Sequence, residues 1–121
     1  MVEIEFDWRA GERNVRWIWE GSVVEKKHAE PPYSVTFASE PDSVVVVEDA
    51  ITSGPANAIV YEPDGTERLR LHPPALPNPI GFDQVFQSVD RIEAVFVTRQ
   101  GDVHGEPDLL SGELRDVRDW R

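Results

Sequence analysis

The sequence contains no cysteine. This absence excludes disulfide bonds, thiolate metal sites and cysteine nucleophiles. The chain also has no apolar run approaching the ~20 residues of a membrane span. No basic stretch followed by an apolar segment opens the chain. We therefore predict an untargeted, cytoplasmic protein that makes no contact with a membrane.

The short motifs that mark cofactor-binding and catalytic sites are also missing. The three histidines show none of the HxH, HxxxH or HExxH spacings that bind zinc. No serine lies in a GxSxG elbow, and no glycine-rich phosphate loop occurs. The sequence therefore predicts a protein without metal, without cofactor and without catalytic activity.

Basic residues are few for a chain of this length. Lys and Arg total 12 against 23 Asp and Glu, which gives a formal net charge of −11. Because each phosphate contact needs a cation, this imbalance argues against binding to nucleic acid or to an anionic membrane. It favours an encounter with a basic protein partner. The alternative is that the scattered acids only keep the domain soluble.

Strand patterns dominate what the sequence does contain. Residues 2–8 and 15–19 alternate apolar with polar side chains, as half-buried strands do. The four valines 44–47 have no polar face, so this strand should be covered on both sides. The pattern predicts one all-β domain over residues 1–121, an antiparallel meander of about eight or nine strands that forms a sandwich or an open barrel.

The clearest local signal is residues 57–71, where two apolar runs flank a Pro-Asp-Gly turn. Pro63 sets φ for a type I turn, and Gly65 can adopt the positive φ that follows. This combination predicts a hairpin with a glycine bulge. The expected cross-strand pairs are Tyr61 with Glu67, Val60 with Arg68 and Ile59 with Leu69.

Residues 82–90 carry two competing signals. Phe82, Val85, Phe86 and Val89 follow the spacing of one helix face. The segment also has the length and composition of a strand. The pattern therefore predicts either one short helix or a further strand here.

Candidate interaction residues lie on the first two predicted strands. Trp17 and Trp19 share a face and are typical anchors of protein interfaces, although core filling is the alternative. Glu3, Glu5 and Asp7 share a face of the first strand, about 6.5–7 Å apart. Such carboxylates can face a basic partner, hold a hard cation or simply be solvated at a sheet edge.

A second candidate site is the segment that contains the last histidine. Asp102, His104, Glu106 and Asp108 bring one imidazole and three carboxylates close together in the sequence. They could bind a metal weakly or supply a general base. A polar loop that leads into a hairpin explains the same residues.

Three functions remain open at this point. The first is a small acidic, non-catalytic interaction module, of the inhibitor or immunity-protein type, that binds a basic partner. The second is a ligand- or metal-binding β-barrel with enzymatic activity at the carboxylates near His104 or on the first strand. The third is a self-assembling structural module, for example a homodimer that covers exposed sheet edges.

Overall fold

The computed structural model describes residues 6–119, which form three antiparallel sheets and one short helix. The N-terminal sheet contains β1 (Phe6–Asp7), β2 (Asn14–Trp19) and β3 (Ser22–Lys27). The central sheet contains β4 (Ser34–Ala38), β5 (Ser43–Val47), β6 (Ala58–Tyr61) and β7 (Glu67–Arg70), with α1 (Ala50–Ser53) between β5 and β6. The C-terminal sheet contains β8 (Pro79–Gln87), β9 (Ile92–Thr98), β10 (Gly101–Pro107) and β11 (Leu114–Asp119). Neighbouring strands are consecutive in each sheet, which confirms the predicted antiparallel all-β class.

The central sheet is the middle layer of a sandwich. Val45 and Val47 of β5 pack in a core against the C-terminal sheet, whereas Val44 and Val46 pack in a second core against the N-terminal sheet. All four valines are 0% exposed, so the prediction of a strand covered on both sides is confirmed. Burial of each such side chain contributes roughly 1.5–3 kcal/mol to folding.

Side chains, not a backbone ladder, join the central and C-terminal sheets at one edge. Thr36 of β4 donates its hydroxyl hydrogen to the carbonyl of Val85 on β8. The buried side chain of Asn57 donates to the carbonyl of Phe82 at 2.8 Å and accepts from the Phe82 amide at 2.7 Å. The sheets therefore stay separate layers of a sandwich, one of the two architectures that the sequence left open.

The hairpin formed by β6 and β7 has the predicted turn, with Gly65 at φ 95°. The observed pairs are Tyr61 with Glu67, Val60 with Leu69 and Ile59 with Arg70. The first pair matches the prediction, whereas the other two are shifted by one residue, because a β-bulge inserts Arg68 into β7. Arg68 therefore has no partner residue on β6, and its guanidinium donates to the Ser43 hydroxyl at 2.6 Å.

The short helix considered for residues 82–90 is wrong, since this segment continues strand β8 and then bends. A register shift between Phe82 and Gln84 adds a residue to the strand, so Phe82 and Val85 both face the core although they are three residues apart. Because of this bulge, the apolar residues of the strand have the sequence spacing of a helix face. The described residues also contain more strands than predicted. Within residues 6–119, no helix has the length and apolar character of a membrane span.

Candidate functional site

Three turns of the sandwich enclose a groove of about 430 Å³. They connect β4 to β5, β8 to β9, and β10 to β11. Its charged lining residues are Glu40, Asp90, Glu106, Asp108, Arg91 and Arg115. Ile92, Leu109 and Leu110 add apolar surface. This acidic groove has the volume of a typical ligand pocket, and carboxylates outnumber cations along it.

Both arginines of the acidic groove are already bound by carboxylates of the same chain. Arg91 Nε lies 2.8 Å from Glu93 Oε1, and Arg115 pairs with Asp108. Within residues 6–119, no basic side chain lies within 4.0 Å of Glu40, Asp90 or Glu106. Glu40 and Asp90 are exposed and Glu106 is half-buried, so these three carboxylates can meet a cation from another molecule.

Asp108 shapes the groove because it holds the β10–β11 turn. Its Oδ1 accepts hydrogen bonds from the amides of Leu110 at 2.8 Å and Ser111 at 3.0 Å. These two bonds, led by that of Leu110, hold the pKa of Asp108 below its usual value. Asp108 is therefore ionised at neutral pH, but it is engaged in the turn and by Arg115.

A second charged group, the Glu93 cluster, lies beside the groove and shares Arg91 with it. Glu93 is only 6% exposed. Its Oε1 contacts Arg91 Nε at 2.8 Å and Arg118 Nη2 at 3.4 Å, and its Oε2 lies 3.3 Å from His104 Nδ1. Since His104 and Arg118 are directly opposite on β10 and β11, the register of these strands assembles the cluster.

A third charged group links the segment after β3 to the central sheet and to α1. Glu48 accepts hydrogen bonds from Ser53 Oγ and Arg70 Nη1, both at 3.0 Å, and its Oε2 lies 2.8 Å from His28 Nδ1. Burial raises the pKa of Glu48, but the hydrogen bonds from His28, Ser53 and Arg70 outweigh burial and lower it. The Glu48 carboxylate lies between the His28 imidazole and the Ser53 hydroxyl. The adjoining cavity of about 20 Å³ is large enough for one water at most. This group is a structural junction.

The structure places the predicted aromatic anchors in and against the core. Trp17 is 1% exposed, and its indole Nε1 donates to the Pro63 carbonyl at 2.6 Å. Its ring centroid is 6.1 Å from that of Tyr61. Trp19 is half-buried against the same core. Trp17 therefore has no surface to offer a partner, and its interpretation as an interface anchor is corrected to core filling.

The structure describes only part of the predicted acidic face of the first strand. Glu3 and Glu5 lie outside the described residues. Asp7 is exposed and its Oδ2 lies 3.1 Å from Arg16 Nη2. Asp7 does not line the acidic groove.

The structure separates the four residues of the predicted His104 site. Glu106 and Asp108 line the acidic groove, whereas His104 belongs to the Glu93 cluster. Asp102 lines a different cavity of about 460 Å³. Within residues 6–119, no three His, Asp or Glu side chains are arranged to hold a metal ion.

Sequence reasoning missed Glu40, Asp90, Glu93 and Arg118 as parts of charged sites. Their positions come from two different turns and two different strands. Glu93 stands inside the apolar strand 92–97. A single acidic residue in an apolar strand was the one local feature of the sequence that could have indicated the Glu93 cluster.

Comparison with known proteins assigns no family to the chain. No family model matches the sequence, and neither the curated proteins nor the solved structures give a significant match.

Proposed function

We propose that the protein is a small acidic, non-catalytic interaction module that binds a basic protein partner through the acidic groove. The observation that carries this proposal is the set of open carboxylates. Glu40, Asp90 and Glu106 have no basic side chain within 4.0 Å in residues 6–119, while Arg91 and Arg115 are held by other acids. The groove thus presents negative charge that the described part of the chain does not balance.

The walls of the groove suit the side chains of lysine and arginine. These side chains have an aliphatic stem and a cationic head, and they bury the stem on apolar surface. Leu110 supplies such surface beside Asp108, since it is 70% exposed. A concave surface on which carboxylates outnumber cations also favours association with a partner of opposite charge.

The class of inhibitors and immunity proteins fits this mode of binding, because such a protein acts by covering a basic surface. A cytoplasmic location and a basic partner remain predictions. Self-assembly into a homodimer also remains a prediction.

An affinity experiment tests the proposal. The immobilised protein is incubated with lysate at about 0.05 M salt, and bound proteins are eluted at about 0.5 M salt, where charge interactions are screened. The triple variant Glu40→Gln, Asp90→Asn, Glu106→Gln is run in parallel. We expect a basic protein that the wild type retains and the triple variant does not. Equal retention by both proteins, or no basic protein retained, would contradict the proposal.

A further inference from the structure

The Glu93 cluster lies on the outer face of the C-terminal sheet. Glu93 alternates along β9 with Ala94 of the core, so its side chain points away from the core. Glu93 itself is buried, but the side chains of Arg91 and Arg118 are 36% and 41% exposed. The cluster can therefore meet a ligand from solvent.

The cluster contains more positive than negative charge. One carboxylate, Glu93, contacts two guanidinium groups and one imidazole. Arg91 and Arg118 touch the same oxygen, Oε1, so the two like charges are held side by side. Even with a neutral imidazole, one positive charge is left over. This local excess is notable in a chain whose formal net charge is −11.

The basic side chains are also held in place before any ligand arrives. Arg118 Nη1 donates to the backbone carbonyl of Asp116 at 2.9 Å while Nη2 faces Glu93. Arg91 donates from Nε to Glu93 and keeps its two terminal nitrogens for other contacts. The side chain of His104 is 14% exposed and lies against Glu93 Oε2. Such fixed groups lose little conformational entropy when they bind a ligand.

We propose that the Glu93 cluster binds a small tetrahedral oxyanion of the phosphate class. Arg91 and Arg118 donate to the oxyanion, because planar guanidinium forks match the spacing of its oxygens. Glu93 is a positioning residue that holds the two arginines together. This site does not depend on the basic partner of the acidic groove, although Arg91 borders both.

The affinity is expected to be weak. Glu106 lies two residues from His104 on β10, and Asp116 lies close to Arg118 on β11. These acids oppose an anion at short range, whereas more distant acids are screened beyond the Debye length of about 8 Å at physiological salt. We expect binding of inorganic phosphate in the millimolar range.

Titration followed by amide NMR shifts tests the site. Inorganic phosphate is added to the wild type, Arg118→Gln and Arg99→Gln at constant ionic strength, with chloride as the balancing ion. Arg99 is an exposed residue of the β9–β10 turn and lies outside the cluster, so it is the matched charge control. We expect saturable shifts at residues 91–93, 104 and 118, about tenfold weaker binding in Arg118→Gln, and unchanged binding in Arg99→Gln.

Two further titrations test which oxyanions bind and what Glu93 does in the site. Glycerol 2-phosphate in place of phosphate tells whether an esterified group is accepted. In Glu93→Leu the anchoring role predicts weaker binding, although a negative charge has been removed. Tighter binding in that variant would overturn the role of Glu93, and if it does not fold, the arginine variants decide. Equal weakening in both arginine variants, or shifts that chloride reproduces, would overturn the site.

Discussion

The acidic groove and the Glu93 cluster are neighbours that share Arg91, yet they balance charge in opposite ways. In the groove, Glu40, Asp90 and Glu106 have no basic side chain within 4.0 Å in residues 6–119. In the cluster, one buried acid is contacted by three basic side chains. The net charge of the chain therefore does not describe what each surface can bind. We therefore propose different binding partners for the two regions, a basic protein for the groove and an oxyanion for the cluster.

The acids of the two regions also differ in whether they contribute to the stability of the fold or are available for binding. Glu93 is buried and makes charged hydrogen bonds, so the fold depends on it. The open groove acids make no such bonds to the described residues, so they are available to a partner without a structural role. Substitutions should therefore affect stability in the cluster and affinity in the groove.

The largest effect on stability is expected for Glu93→Ala. This variant loses hydrogen bonds from Arg91 and Arg118, and charged hydrogen bonds contribute about 1.5–3 kcal/mol each. Because both arginines are over a third exposed and can turn to water, we expect the free energy of unfolding to fall by only about 1–3 kcal/mol in total. Urea denaturation measures this. A change below the error of the measurement would contradict the distinction between the two regions.

A smaller effect, on binding, is expected for Arg115→Gln. Arg115 neutralises Asp108 at the wall of the groove, so its removal should leave a fourth open carboxylate. An exposed ion pair is worth about 0.2–1 kcal/mol, which corresponds to a gain of about 1.4- to fivefold in affinity for a basic peptide. Fluorescence anisotropy with a labelled lysine- and arginine-containing peptide measures it. Weaker binding by this variant would place the contact elsewhere.

Asp90→Asn should leave stability almost unchanged. Asp90 is exposed in the β8–β9 turn and has no ion pair with the described residues. Surface substitutions of this kind usually stay within about 0.5 kcal/mol in the free energy of unfolding. Urea denaturation beside Glu93→Ala gives the direct contrast. A loss comparable to that of Glu93→Ala would show that the groove acids also hold the fold.

The smallest expected effect concerns pH and Asp108. Its pKa is lower in the folded state than the usual value, so its ionised form stabilises the fold. This contribution is present above the unfolded pKa of about 4 and is lost as pH falls through the lower folded pKa. The stability difference between wild type and Asp108→Ala should therefore shrink between about pH 4 and the folded pKa. A difference that is constant across this window would contradict the proposed turn contacts.

The sequence predicted the fold where local pattern decides it. The valines 44–47 were expected to be covered on both faces because they have no polar side, and the structure puts a core on each face. The Pro63 turn was correctly placed, but the register beyond it was not. The bulged residue, Arg68, donates a hydrogen bond to Ser43, a distant partner that no local pattern reveals. The bulge in β8 misled the interpretation of residues 82–90 in a similar way.

The candidate sites were less predictable than the fold. Glu106 and Asp108 were identified as candidates, but their neighbours Glu40 and Asp90 come from turns that only tertiary packing brings together. Proximity in sequence suggested that Asp102 and His104 belong to the same site as Glu106, yet Asp102 lines another cavity and His104 contacts Glu93. Trp17 has the residue type of an interface anchor, and only burial shows that it fills the core.

The most direct test of the account measures the affinity of a ten-residue lysine- and arginine-containing peptide for three proteins at about 0.15 M salt, where distant charges are screened. They are the wild type, the groove variant with Glu40→Gln, Asp90→Asn and Glu106→Gln, and a control with Glu20→Gln, Asp83→Asn and Asp119→Asn. Both variants remove three exposed or half-buried acids, but only the first removes them from the groove. The account predicts at least tenfold weaker binding by the groove variant and near wild-type binding by the control. Equal losses in both variants would contradict it, because net charge alone would then explain the binding.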